Sequence, residues 1–531
     1  MRGFVLALAA SIALAAPALH AGEPVDLDLV TRIRDEGFHR SQIMDIVAHL
    51  SDGIGARVTG SPAMTEANEW ARTWFEEHGL QNAHLEPYDF GRGWSWSRCA
   101  LDLLGAHPTS LHALPQGWTP GTPGPVEGVA FRLEAETAED LAPYAGQLAG
   151  KFVLISDERP VEPLTQPAFR RYADEDLEKE SAFEMPEMEE GESEWVRDFR
   201  KRLRFRRALD AFLATEGALG ILEVSSRDFG ILRVLRGGEP VDAEPMRIPA
   251  VTVMTEHYNR LVRLLEAGET VRLRLDVGAA FHDDGGKAFN TVAEIPGRRK
   301  KSEVVIAGAH LDTYQAGNGA VDNAAGVAVV LEAVRILKAL GVQPERTVRI
   351  CLWSGEEQGF LGSWAYVNEH FARRPAWPDS ELALPRGLRS RPGPLSYEPE
   401  HARVSGYFNL DNGSGKIRGI YLEENAALRP IFEAWLAPFE DLGVSTITLN
   451  PTGGTDHVPF DRAGIPGFQF IQDPLNYMSQ QHHTHLDTYD HVQPDDLRQA
   501  AVVLASVLAH AANRDEMLPR KPKPVDREEA E

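Results

Sequence analysis

The stretch Glu303 to Asn323, EVVIAGAHLDTYQAGNGAVDN, carries an apolar run from Val304 to Ala309 into His310, then Asp312, then Asp322 on a Gly-rich loop before a helix-like segment. Imidazole and carboxylate at the end of a buried strand are metal-ligand and proton-transfer groups. Three further apolar runs end the same way. Glu356 and Glu357 follow Thr347 to Trp353, Asp411 follows Val404 to Leu410, and His482, His483 and His485 follow Gly467 to Ile471. Each has a plain reading by itself: an acidic pair starts a solvated helix, a lone histidine is a satisfied polar group, and Asp322 caps the next helix. Four strand ends that all supply carboxylate or imidazole point instead to one site. Such groups without cysteine suit zinc, and also manganese or cobalt. Their number suits two ions. If one ion takes His310 and Asp411, the other Glu357 and His483, and Asp322 bridges, three carboxylates face four positive charges and a bridging hydroxide completes the balance. Two such ions polarise a carbonyl and acidify water, with a non-ligating Glu356 as general base.

Positioning these groups requires the elements around them. From Asn290 the pattern alternates: strands Thr291 to Ile295, Val304 to Ala309, Thr347 to Trp353, Val404 to Leu410 and Gly467 to Ile471, with helices Ala324 to Leu340, Phe360 to Phe371, Ala426 to Leu436 and Pro494 to Ala512. This predicts an α/β fold with a mixed, mostly parallel sheet and helices on both faces, whose site lies beyond the strand carboxyl ends. Upstream, Ser41 to Leu50 is a short helical pattern. Ser61 and Pro62 then open an amphipathic helix that Gly79 can end. From about Asp102 the texture changes to Pro and Gly punctuation with short β-like runs. The chain therefore divides into 1–21, 22–104, an inserted unit 105–285 with a charged helical segment at about 163–207, the main unit 286–515, and a disordered tail 516–531. The acidic stretch Asp174 to Glu194 and the basic stretch Arg197 to Arg207 read as a solvated insertion, and Pro375 to Glu400 as a long loop.

Residues 1–21 have Arg2, an apolar core and small residues at Ala16 to Ala18 or Leu19 to Ala21, the pattern of a secretory signal peptide, and predict a secreted or periplasmic protein. No apolar run reaches the roughly 20 residues of a membrane-spanning helix, so stable membrane insertion is not expected. The formal net charge of -25 argues against nucleic acid as partner. Only Cys99 and Cys351 occur, which excludes a disulfide framework; Cys351, inside VRICLW, reads as a core thiol.

The segments AGAHLDT, GAVDNAAG, WSGEEQGFLGS, FNLDNGS, GGTDHVPF and HHTHLDTYD resemble the zinc aminopeptidase and carboxypeptidase family called M28, over about 290 to 515. HHTHLDT and DEMLPR are similar to its carboxypeptidase Q branch, and GKFVLIS, EGALGILEVS and IPAVTV look like the protease-associated domain that some members insert. The resemblance implies a zinc exopeptidase fold and two zinc ions held by His310, Asp322, Glu357, Asp411 and His483. It also implies Glu356 as catalytic base, Asp312 orienting His310, and a peptide substrate. His483 is preferred to His482 and His485 by the family spacing to Thr484 and Asp487. His457 after Asp456 resembles bacterial aminopeptidases, so release of N-terminal residues is expected, with carboxypeptidase or dipeptidase action as the alternative. A metal-free receptor of this fold is disfavoured, because all five ligand positions and the base are present, and a single-zinc glutaminyl cyclase because two ions are expected.

Overall fold

The computed structural model describes residues 22–183, 194–239, 246–283, 285–375 and 394–523. The expected signal peptide, most of the Pro375 to Glu400 loop and the last eight residues lie outside them. No described helix is long and apolar enough to cross a membrane.

The main sheet has eight strands in the order Gln81–Asp89, Lys287–Ile295, Arg346–Trp353, Lys300–His310, Val404–Asn409, Gly467–Gln472, Ile417–Tyr421 and Thr446–Thr448. Its four central strands, from Arg346–Trp353 to Gly467–Gln472, are mutually parallel. Their carboxyl ends therefore share one edge. The two outer pairs on one side and the Ile417–Tyr421 pairing with Gly467–Gln472 are antiparallel. Sequence reasoning misses Gln81–Asp89, Ile417–Tyr421 and Thr446–Thr448, which are short or polar edge elements without a long apolar run.

Alternation along the central strands feeds two cores. Val305, Ala307 and Ala309 join Val348, Ile350, Leu352 and Phe408 on the face covered by helices Ala325–Ala339 and Pro494–Asn513. Val304, Ile306, Cys351, Trp353 and Tyr407 project to the other face, against Tyr366, Phe371 and Phe460. Successive side chains of a strand point to opposite faces, so a continuous apolar run is what a sheet covered on both sides requires. Helix Leu27–His39, which the sequence does not announce because charged residues interrupt its apolar stripe, packs on Pro494–Asn513. At Gly37 an added Cβ would stand 2.3 Å from Val502 Cγ2, so only glycine permits this approach. Helix Pro62–Glu77 begins as expected, with Ser61 Oγ accepting from the Met64 N–H.

A second eight-stranded sheet runs from Gly93 to His282. It therefore starts twelve residues before the expected boundary at 105, because Gly93–Leu104 pairs along its length with Arg272–His282. Of the charged segment, helices Asp174–Ser181 and Glu194–Glu216 are described, and the second anchors Leu209 and Leu213 in the insert's core. The basic stretch Arg197 to Arg207 is helical and has no buried residue, as a solvated segment would, and the buried Leu209 and Leu213 follow it. The tail also departs from expectation. Leu518 is buried and Arg520 donates to the carbonyls of His401 and Val404, so order extends past 516. Cys99 and Cys351 are free thiols in different sheets.

Candidate active site

The loops leaving the four parallel strands converge. His310 ends its strand with Nε2 3.0 Å from Asp411 Oδ1 and 3.2 Å from Asp322 Oδ1. His483 Nε2 lies 3.1 Å from Glu357 Oε2 and 3.5 Å from Asp322 Oδ2. The two oxygens of Asp322 thus face two separate imidazole–carboxylate pairs. Glu356 joins the first pair: one ligand atom from each of His310, Glu356 and Asp411 falls within 4.8 Å of the others. His482 can group with Asp322 and His483, but no ion-pair contact joins it to Glu357. His485 is turned away, its Nδ1 accepting from the Leu232 N–H.

Local structure explains why these side chains are available. Asn323, not Asp322, caps the following helix: its Oδ1 accepts from the Gly326 N–H and its amide donates to the Leu410 carbonyl. This leaves Asp322 to face His310 and His483 with its carboxylate. Its own N–H and that of Val321 are taken by Asp487. Glu356 and Glu357 are only 7% and 8% exposed, which rules out a solvated helix start. Their backbone N–H groups point at the Asp312 carboxylate, which also accepts from the Thr59 hydroxyl at 2.9 Å. Asp312 reaches His310 through its backbone carbonyl, 2.9 Å from Nδ1, with the carboxylate farther off at 3.7 Å. The main-chain carbonyl thus makes the shorter contact to the ring, and the carboxylate, which against the effect of burial also raises the His310 pKa, is shared with the Glu356 loop. The fully buried Arg57 donates to the carbonyls of Leu50, Gly55, Leu311, Asn318 and Gly319 and so fixes the loop between His310 and Asp322.

The electrostatics are those of a carboxylate cluster short of cations. Burial pushes Glu356 and Glu357 well above the usual carboxylate range, and nearby carboxylates push the same way. Burial also opposes ionisation of Asp322, but the imidazoles of His310 and His483 hold it well below. Burial keeps His483 neutral. Asp322 Oδ2 and Glu357 Oε1 are buried without a hydrogen-bond partner among the described residues. Orphaned carboxylate oxygens beside the neutral imidazole of His483 fit divalent metal, which supplies the missing charge and the missing bonds.

Several groups at the site carry no signal of role in the sequence. Asp456 is fully buried, accepts from the Ser363 hydroxyl, and is pushed up to about 8 by burial. Tyr314 lays its ring 4.1 Å from that of His483. Only GGTDHVPF, following no long apolar run, hints at Asp456. His457 next to it turns away toward the Thr452 carbonyl and Glu423.

Residues 290–508 match the Peptidase family M28 profile. The chain is 28% identical over 492 residues to carboxypeptidase Q of Rattus norvegicus, covering 91% of this chain and 88% of that one. It is 26% identical over 287 residues to aminopeptidase YwaD of Bacillus subtilis, covering 53% and 54%. Among solved structures it superposes on an M28 peptidase precursor from Shewanella amazonensis with TM-score 0.64 and 25% identity, covering 94% of this chain and 99% of the other. A zinc aminopeptidase from Bacillus subtilis shares the fold, with TM-score 0.55 at 18% identity over 89% and 95%.

Proposed function

We propose that this M28-family metallopeptidase is a di-zinc exopeptidase that hydrolyses the terminal bond of short peptides, releasing N-terminal residues. The observation that carries the reading is the division of the Asp322 carboxylate between His310 on one side and His483 on the other. One zinc would be held by His310 and Asp411, the second by Glu357 and His483, and Asp322 would be shared. Zinc bound there would polarise the scissile carbonyl and acidify water. Glu356, buried beside His310 and Asp411, takes the proton from the attacking water on its carboxylate and returns it to the leaving amine. Asp312 holds the backbone that aims Glu356. The apolar N-terminal segment supports action after export.

Comparing aminoacyl anilides with their N-acetylated forms tests the polarity. Turnover of the free forms alone is expected; equal turnover of both would overturn N-terminal release. A second reading, carboxypeptidase or dipeptidase action, is favoured by the similarity to carboxypeptidase Q over 91% of the chain, insert included. It predicts cleavage of N-acylated dipeptides. Metal analysis should find two zinc ions per chain; one ion would refute the two-metal centre.

A further inference from the structure

The inserted domain touches the candidate ligand loop directly. Residues Leu232 to Val234 run antiparallel to His483 to His485, with Arg233 bridged to Thr484. The Val234 N–H donates to the His483 carbonyl at 3.1 Å, and the His485 N–H to the Leu232 carbonyl at 3.2 Å. Leu232 N–H also donates to His485 Nδ1 at 3.0 Å. The insert therefore fixes Arg233 next to His483 through main-chain bonds. Its backbone N–H is further held by Ser225 Oγ.

Arg233 lies on the wall of a cavity of about 560 Å³ roofed by helix Glu194–Glu216. Tyr314, whose ring lies against that of His483, also lines this cavity. Four arginines line it. Arg206 is neutralised by Glu223 at 2.8 Å and Arg236 by Glu239 at 3.0 Å. Among the described residues, no carboxylate lies within ion-pair distance of Arg233 or Arg202, and Arg233 Nε is buried without a hydrogen-bond partner. A guanidinium held by its backbone, without a counterion among the described residues and beside the candidate centre, has the geometry of a carboxylate receptor.

We infer that Arg233, assisted by Arg202 from the facing helix, binds a carboxylate on the part of the substrate beyond the scissile bond. The preferred substrates are then di- and tripeptides bearing a free C-terminal carboxylate. This rests on the peptidase reading above and names its substrate class. A carboxylate of an acidic side chain shares the chemistry.

The test uses the full-length zinc-loaded protein with Leu-Ala, Leu-Ala amide and Leu-Glu amide. The wild type should cleave Leu-Ala with kcat/KM about 10- to 100-fold above Leu-Ala amide, mostly through KM, the range of one charge-assisted hydrogen-bonded pair. Recovery with Leu-Glu amide would assign the site to a side-chain carboxylate instead of the terminal one. Arg233→Gln should erase the preference by lowering Leu-Ala alone, and Arg233→Lys should restore part of it. Equal cleavage of Leu-Ala and its amide by the wild type, or equal loss of both in Arg233→Gln, would overturn the proposal. Calorimetric titration of the same peptides into Glu356→Gln reads binding without turnover. If no peptide is cleaved yet Leu-Ala binds tighter than its amide, the peptidase reading fails and the carboxylate site stands; equal affinity would remove the site.

Discussion

Asp322 Oδ2 stands 3.5 Å from His483 Nε2, while the sister oxygen of the same carboxylate faces His310. One side chain thereby joins two candidate ligand groups, His310 and Asp411 from the two inner strands of the parallel core and Glu357 and His483 from its two outer strands. Asp322→Ala should drop bound zinc from two per chain toward one or none, measured by plasma mass spectrometry, and abolish turnover. Retention of both ions would show that the bridge is dispensable.

Glu356→Gln should keep its zinc and lose kcat by about 10²- to 10⁴-fold, since the amide preserves shape but accepts no proton. Metal content and steady-state rates on one preparation check this. Loss of zinc would mean that Glu356 is a ligand.

Thr59 connects the N-terminal segment to the Glu356 loop. Its hydroxyl donates to Asp312 and accepts from the Gly355 N–H, both at 2.9 Å. Thr59→Val removes both bonds with little change of shape. It should cost about 1–3 kcal/mol in urea unfolding and reduce kcat roughly tenfold with zinc unchanged.

Arg57→Lys should destabilise by about 3 kcal/mol or more, because a point charge cannot serve the five carbonyls that the guanidinium reaches from its buried position. Chemical denaturation reads the loss, and the loop carrying Asp322 should gain hydrogen exchange.

Burial pushes Glu423 up to about 8, against the pull of the Thr452 N–H. The folded state therefore holds a proton that the unfolded chain releases near its ordinary value of 4.5. The stability this contributes is fully present below about pH 4.5 and is lost as pH rises toward and through about 8. Glu423→Gln should flatten the melting temperature profile between pH 5 and 8. An unchanged slope would show that Glu423 ionises freely in the fold.

The fold was most legible where one strand serves two cores. Val304 to Ala309 is apolar at every position, and such a run has few solutions other than a strand covered on both faces. Helix Pro62–Glu77 was legible from its Ser61 cap and 3.6-residue apolar periodicity. The edge strands Ile417–Tyr421 and Thr446–Thr448 and the start of the second sheet at Gly93 were not legible, since pairing partners, not local pattern, make those segments strands.

For the site, residue type and strand-end position sufficed to nominate His310, Asp322, Glu356, Glu357, Asp411 and the cluster His482, His483 and His485, from which the family spacing singled out His483, because a parallel sheet brings its carboxyl ends to one edge. Only tertiary structure decided what each group faces. It turned the Asp312 carboxylate to the Glu356 loop and its carbonyl to His310, and gave the helix cap to Asn323. It also carried Arg233, in the connection between strands Gly220–Val224 and Ala250–Val253 of the second sheet, to the side of His483. Those assignments depend on which main-chain donors and acceptors remain unpaired once distant segments pack, a quantity that no local sequence pattern contains.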